Sequence, residues 1–276
     1  MGLIGGSLGM ALRRARPKVW RVIGLGRGPS SLALARRRGA CDKIFTDWRE
    51  GVREADEIVI CTPPSQIVPV TRRVLPWTKP GVVISDVGSV KGPVVAGWSH
   101  LRETAGFSTN YSFVGAHPMA GSEASGIHYA RADLFQGAVC AITPCPGEPS
   151  SSVQRVEKIW KACGARPFRI NPAAHDQAVA LTSHLPHLIA SALVLSVMEK
   201  ERAGSPFRKF VARSFLDLTR VAASDPVLWA DIFRMNQRAL REAAGDFEKA
   251  IRRLGREPAV ERLLRLTATR RRAWSS

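Results

Sequence analysis

Short apolar segments rich in β-branched residues alternate with helix-like segments as far as Asn171, and this alternation restricts the fold more than any other feature. Six such segments are VWRVIGL (19–25), EIVICT (57–62), GVVISDV (81–87), SFVGAHP (112–118), GAVCAITP (137–144) and ARPFRIN (165–171). Strands of a parallel sheet have this pattern, because helical crossovers cover both of its faces. The sequence therefore predicts a doubly wound α/β domain of Rossmann type.

The character of the chain changes from His175 onward. β-Branched runs and glycines become rare, and long segments with helical periodicity such as HDQAVALTSHLPHLIASALVLSVMEKE take over. We therefore predict two domains, an α/β domain over residues 1–172 and an all-α domain over residues 173–276.

The N-terminal sequence MGLIGGS resembles the end of a G-x-G-x-x-G turn whose first glycine is absent. Such a turn directs backbone N–H groups and a helix N-terminus at a pyrophosphate. On this interpretation the residues that bind the dinucleotide are Gly2, Leu3, Ile4 and Gly5. The alternative is a glycine turn that only opens a helix.

A turn of this kind follows the central strand of a Rossmann sheet, yet Met1 alone precedes Gly2. That strand is buried on both faces, so its loss removes packing and the base of the turn. We therefore expect the first strand to be missing or truncated and the binding of a dinucleotide to be weak.

The choice of dinucleotide depends on the end of the next strand, about 20 residues past Gly5, where NAD-binding folds carry an acidic residue. Here Gly26 and Arg27 occupy that place, which favours NADP over NAD unless Arg27 is simply solvated. Thr62 and Pro63, at the end of the EIVICT segment, are also assigned to the cofactor site.

The formal net charge of +18 would suit a nucleic-acid-binding protein. However, the basic residues are scattered over helix-like segments and are not interleaved with aromatic residues. We therefore predict no nucleic-acid partner, and interpret the charge either as the mark of an arginine-rich proteome or as a field that attracts anionic ligands.

Cysteine usage and hydropathy point to a cytoplasmic protein. The five cysteines show no C-x-x-C spacing, so we predict reduced thiols and no metal site. No apolar run approaches the ~18 residues that span a bilayer, and no secretory signal opens the chain. We therefore expect a soluble protein without a membrane partner.

Four motifs together closely resemble those of the prephenate/arogenate dehydrogenase family of tyrosine biosynthesis. They are DVGSVK (86–91), FVGAHPMAGSEASG (113–126), TSHLPH (182–187) and TRVAASDPVLW (219–229). The resemblance implies oxidative decarboxylation of prephenate to 4-hydroxyphenylpyruvate with hydride transfer to NAD(P)+, in a homodimer formed through the helical domain. Arogenate, which would give tyrosine directly, is the alternative substrate, and a binding protein of the same fold with impaired cofactor binding is a third possibility.

The resemblance also implies roles for individual residues. His117 matches the family's catalytic base, and Ser89 matches the serine that hydrogen-bonds both the same substrate hydroxyl and that histidine. The residues assigned to the substrate are His184, His187, Arg220, Glu123 and Trp229. From the residues alone, Arg220 could equally be a solvated charge and Trp229 a core side chain.

Overall fold

A computed structural model describes residues 1–16, 19–104, 111–121, 123–255 and 260–274. The strands are β1 (Ile23–Leu25), β2 (Lys43–Phe45), β3 (Glu57–Ile60), β4 (Val83–Asp86), β5 (Ser112–Pro118), β6 (Val139–Pro144) and β7 (Arg166–Arg169). The α/β helices are α1 (Leu3–Ala15), α2 (Pro29–Arg37), α3 (Trp48–Arg53), α4 (Pro64–Val74), α5 (Gly92–Thr104) and α6 (Ser150–Ala162). The helical part comprises α7 (Pro172–Val179), α8 (Leu185–Arg202), α9 (Arg213–Thr219), α10 (Pro226–Met235), α11 (Gln237–Leu254) and α12 (Val260–Ala273). The predicted order of an α/β part followed by a helical part is confirmed.

The strands form two separate sheets. β1 pairs with β2 in parallel, and the other strands form a sheet in the order β3-β4-β5-β6-β7. Within the larger sheet β3, β4 and β5 are parallel, whereas β6 runs antiparallel to β5. β2 was not predicted, because three residues are too few to show a period.

The division between the sheets lies where the first strand of a Rossmann fold belongs. Within the described residues, β1 pairs only with β2 and β3 only with β4. The N-terminus of α1 lies between these strands, because a Cβ on Gly5 would be 3.4 Å from Cys61 and one on Gly26 would be 2.9 Å from the Met1 nitrogen. The pairing of β1 with β2 and of β3 with β4 is therefore consistent with the expectation that the first strand is missing or truncated.

Helices cover both faces of the larger sheet, as a doubly wound fold requires. On one face α1 and α6 pack on the sheet, with the Phe135 and Trp160 rings edge to face at 5.3 Å. On the other face α4 and α5 pack, and Trp98 stacks on Phe113 at 5.6 Å. Each large apolar side chain buried in this way contributes about 1.5–3 kcal/mol.

The helical part begins with a continuous helical run over Pro172–Arg202. A π-helical turn, Ala180–His184, joins α7 to α8 within it. Contrary to the sequence expectation, this run is long and apolar enough to span a bilayer, with a mean hydropathy of 1.6. Its first turns nevertheless bind the α/β part through buried polar side chains, whereas its apolar side chains Leu181, Leu195 and Met198 are exposed.

Adding a strand ahead of Met1 tests the interpretation of the divided sheet. An apolar segment of roughly eight residues that ends in glycine should pair with both β1 and β3. We expect the melting temperature to rise by about 5 °C or more and NAD+ or NADP+ to bind more tightly. Differential scanning calorimetry and titration calorimetry measure the two effects.

An extension of equal length made of glycine and serine is the control for that experiment. If the apolar extension gives neither a higher melting temperature nor tighter binding than the control, Gly2–Gly5 is only a helix-opening turn.

Candidate active site

A chain of buried polar groups joins the carboxyl end of β5 to the start of α7. His117 is the second-last residue of β5, and its Nδ1 lies 2.9 Å from Nε2 of His175. Nδ1 of His175 lies in turn 2.8 Å from Oδ1 of Asp176. His175 and Asp176 are buried, so the helical part supplies two groups that support a histidine of the α/β part.

The acceptor at the end of this chain fixes the protons on both rings. A carboxylate can only accept, so Nδ1 of His175 donates to Asp176. Nε2 of neutral His175 then carries a lone pair and accepts from Nδ1–H of His117. Nε2 of His117 is therefore left without a proton, as a general base requires.

Asp176 is itself held by the first N–H groups of α5. The backbone nitrogens of Lys91 and Gly92 donate to Oδ1 and Oδ2 of Asp176, each at 2.8 Å. These donors have no partner within their own helix, so Asp176 caps α5 from the other part of the chain. The same Asp176 carboxylate thus caps α5 and binds His175.

A second carboxylate of the helical part caps a neighbouring helix. Oδ2 of Asp231, in α10, accepts from the backbone N–H of Ser65 at 3.0 Å. Ser65 is in the first turn of α4, where Pro63 at the N-cap offers no side-chain acceptor. Both helices that approach the site from the α/β part are therefore capped by the helical part.

A buried ion pair fixes the residue that precedes His117. Nζ of Lys91 contacts Oδ2 of Asp86 and donates to the carbonyl of Ala116 at 2.9 Å. Oδ1 of Asp86 accepts from the N–H of Ala116 at 3.0 Å. Both polar backbone groups of Ala116 are thereby held, and with them the direction of the His117 side chain.

The surroundings of His117 favour its neutral form. Burial is the largest influence, followed by electrostatic interactions with His175, Lys91 and His184, and together they lower the pKa of His117 well below its ordinary value. The ring is therefore ready to accept a proton at neutral pH.

The predicted substrate residues at the start of α8 and in α10 lie together, with His184 at the end of the π-helical turn that precedes α8. The rings of His187 and Trp229 stack with centroids 3.6 Å apart, and the ring of His184 is T-shaped to that of Trp229, with centroids 6.2 Å apart. Nε2 of His184 and Nδ1 of His187 are buried and have no hydrogen-bond partner among the described residues. Two ring nitrogens are thus available to a ligand.

Arg220 and Glu123 contact each other instead of standing alone. Nη1 of Arg220 lies 2.9 Å from Oε2 of Glu123, and both side chains are substantially exposed. A bond from its own backbone N–H, followed by the hydrogen bond and charge of Arg220, lowers the pKa of Glu123. The turn that begins at Arg220 packs on α8, which also carries His187.

Ser89 lies half-buried in the loop between β4 and α5. In the part of the chain that the structure describes, no hydrogen bond joins Ser89 to His117. The same loop carries Gly88 and Lys91, whose backbone groups bind Asp86 and Asp176.

The predicted cofactor residues meet at the edge formed by the carboxyl ends of β1 and β3. Gly2 is extended and provides no side-chain cap, so the first N–H groups of α1 are open to an anion. Arg27 is exposed beyond the end of β1. Oγ1 of Thr62 is buried without a partner in the described residues, and Pro63 follows it. An open helix N-terminus, a cation and an orphaned hydroxyl suit the phosphates and hydroxyls of a dinucleotide.

His175, Asp176 and Asn236 are the polar residues of the site that the sequence did not indicate. Nδ2 of Asn236 contacts both the Asp176 carbonyl and the His184 ring. The one signal in the sequence was the adjacent His175–Asp176 pair near the start of a long apolar helical segment. Such polar residues are seldom buried unless they bind a partner, so the pair could have indicated a polar contact.

The fold and the site define a class of two-domain protein, in which a nucleotide-binding α/β domain shares its site with a helical domain. Residues 8–168 match the family model described as the nucleotide-binding domain of prephenate dehydrogenase. Residues 171–267 match the model described as its dimerization domain. The chain belongs to the prephenate dehydrogenase family.

Two relatives show the extent of the similarity. The prephenate dehydrogenase of Bacillus subtilis is 32% identical over 86% of this chain, which spans 62% of that protein's length. The cyclohexadienyl dehydrogenase of Zymomonas mobilis is 34% identical over 92% of this chain and 85% of that protein. This chain therefore spans less than two thirds of the Bacillus relative.

Solved structures of the family have the same fold. Prephenate dehydrogenase from Aquifex aeolicus, in complex with hydroxyphenyl propionate and NAD+, superposes with a TM-score of 0.89 at 27% identity. That match covers 99% of this chain and 95% of the other. Arogenate dehydrogenase from Synechocystis has a TM-score of 0.81 at 29% identity, over 99% of this chain and 97% of that one.

Proposed function

We propose that this chain is a nicotinamide-dependent dehydrogenase that converts prephenate to 4-hydroxyphenylpyruvate in tyrosine biosynthesis. The observation that carries the proposal is the chain of hydrogen bonds from Nδ1 of His117 through His175 to Asp176, from which we infer that Nε2 of His117 carries no proton. The names of the Bacillus and Aquifex relatives support prephenate as the substrate.

The reaction needs a base more than any other group. Nε2 of His117 takes the proton of the ring hydroxyl, and the electrons left on oxygen expel hydride from the same carbon. Acceptance of that hydride is the chemistry that the nicotinamide supplies when bound. The ring carboxylate then leaves as CO2, and its bonding electrons complete the aromatic ring, so no metal is required.

The chain of hydrogen bonds through His175 to Asp176 stabilises the positive charge that forms on His117. After proton transfer the ring is an imidazolium, and its Nδ1–H strengthens its bond to His175, which is bound to the Asp176 carboxylate. Ser89 is proposed to hydrogen-bond the same substrate hydroxyl from the loop that holds Lys91.

The substrate is proposed to lie between the two domains. His187 and Trp229 offer a stacked surface to the ring, and His184 offers a ring nitrogen. Arg220 is proposed to bind a substrate carboxylate through its planar fork. Its ion pair with Glu123 is exposed and contributes little stability, so a ligand can compete for the guanidinium.

The proposed cofactor site comprises Gly2, Leu3, Ile4, Gly5, Arg27, Thr62 and Pro63. NADP is slightly favoured over NAD, because Arg27 occupies the place of an acidic ribose-binding residue and can pair with a 2′-phosphate. NAD+ in the Aquifex complex supports the other choice.

Arogenate is the second candidate substrate, supported by the Synechocystis structure. It carries an ammonium group where prephenate has a ketone. Of the substrate residues proposed above, Glu123 alone is acidic, and it is already paired with Arg220. Prephenate therefore remains the preferred substrate.

We expect a cytoplasmic homodimer formed through the helical domain. The match to a dimerization domain and the exposed apolar side chains of α8 support this arrangement.

Light scattering at micromolar concentration should give a mass near twice 30.1 kDa. Leu195→Glu should shift the protein toward the monomer, whereas Phe168→Glu, an equally exposed site on β7, should not. A wild-type monomer would contradict the proposal.

His117→Asn tests the proposed reaction. We expect kcat to fall by at least ~10²-fold, while the Kd values of cofactor and substrate stay close to wild type, because only proton transfer is removed. Prephenate and arogenate should each be assayed with NAD+ and NADP+. His100→Asn, at an exposed position on α5, is the matched control.

The pH dependence of the wild type gives a second readout. Since the pKa of His117 is lowered, its base form persists through pH 6.5, and kcat/KM should decline only at lower pH. Near-normal kcat in His117→Asn would rule out His117 as the base.

A further inference from the structure

His184 is buried beside Asn236, which contacts its ring. Its side chain is fully buried, and Asn236, which begins α11, is 5% exposed. Nδ2 of Asn236 lies 3.1 Å from Nδ1 of His184 and 2.8 Å from the backbone carbonyl of Asp176. One amide group thus connects the ring to the main chain of α7.

These contacts determine which ring nitrogen carries the proton. The Asp176 carbonyl can only accept, so the group that faces it must be the amide NH2 of Asn236. A flipped amide would set its oxygen against the carbonyl oxygen, and neither could donate. Nδ1 of His184 therefore accepts the second N–H of the same group, and Nε2 of the neutral ring carries the proton.

The ring remains neutral in this environment. The titratable side chains around it include Asp176, His175, His187 and His117. Burial outweighs the opposing effect of the Asp176 charge and lowers the pKa of His184 to about 4. At physiological pH, His184 therefore presents a neutral N–H donor.

That donor has no partner among the described residues. Nε2 of His184 is buried, and the neighbouring Trp229, whose ring is T-shaped to that of His184, offers no nitrogen or oxygen acceptor in its side chain. An unsatisfied buried donor is costly, and a ligand oxygen that only accepts would satisfy it. A ligand group that also needs to donate, such as an ammonium, would find no acceptor at this nitrogen.

We propose that Asn236 is a positioning residue that holds His184 as its Nε2–H tautomer, so that this point of the pocket selects a carboxylate or ketone oxygen. The inference rests on the proposed function only in taking the pocket to be the substrate site. The tautomer itself is independent of the reaction.

Asp176 consequently gives two histidines opposite roles. Its carboxylate, through His175, leaves Nε2 of His117 as an acceptor. Its backbone carbonyl, through Asn236, leaves Nε2 of His184 as a donor.

The test is 15N NMR of the histidine rings in the uniformly labelled full chain at pH 7, with the His184 signals assigned from the spectrum of His184→Gln. We expect a single Nε2–H tautomer for His184 in the wild type. In Asn236→Asp the new carboxylate should place a proton on Nδ1, and in Asn236→Ala the single tautomer should be lost. Asn171→Asp, which makes the same change at the exposed N-cap of α7, should leave the wild-type signal unchanged.

The wild-type spectrum alone can overturn the proposal, by showing the proton on Nδ1, even if a variant fails to fold. Wild-type signals in both folded Asn236 variants would also overturn it, as would an equal change in Asn171→Asp.

Steady-state assays add a second readout. In Asn236→Ala we expect KM for the substrate to rise about tenfold, with kcat changed less than about threefold, as for one lost hydrogen bond. If the protein turns over neither prephenate nor arogenate, the proposed function fails while the tautomer result stands.

Discussion

The binding of Asp176 at the start of α5 is the interaction on which the site depends. One side chain accepts from the N–H groups of Lys91 and Gly92 and from His175, and so connects the helical part to the sheet. Hydrogen bonds from three donors offset the cost of burying the Asp176 carboxylate. Removal of the carboxylate would leave these three donors without an acceptor. The position of His175 against His117 follows from this anchor.

The two parts of the molecule meet through polar contacts as well as apolar ones. Asp176 and Asp231 each accept hydrogen bonds at the start of a helix of the other part, and Pro63, the N-cap of α4, offers no side-chain acceptor. Such bonds are directional, so they restrict the relative orientation of the domains more than an apolar contact of equal area would. A base held within a hydrogen-bond length of its partner requires this kind of restriction.

The sequence predicted the fold well because each strand from β3 to β6 carries its own apolar run. It predicted His117 because a long motif surrounds that residue. It could not indicate His175 as the partner of His117, since the two are 58 positions apart and meet only after the domains dock. Nor could it indicate Asn236, whose role depends on a backbone carbonyl that has no signature in the sequence.

The central claim is that Asp176 sets the proton positions on which catalysis depends, and the kcat of Asp176→Asn tests it most directly. Asp231→Asn is the matched comparison, because it makes the same change at the other helix cap without touching the histidines. With both variants shown to be folded at the assay temperature, kcat should fall by about 10²- to 10⁴-fold in Asp176→Asn. It should stay within about threefold of wild type in Asp231→Asn, whose amide oxygen can still accept from Ser65. Equal kcat values in the two variants would contradict the claim.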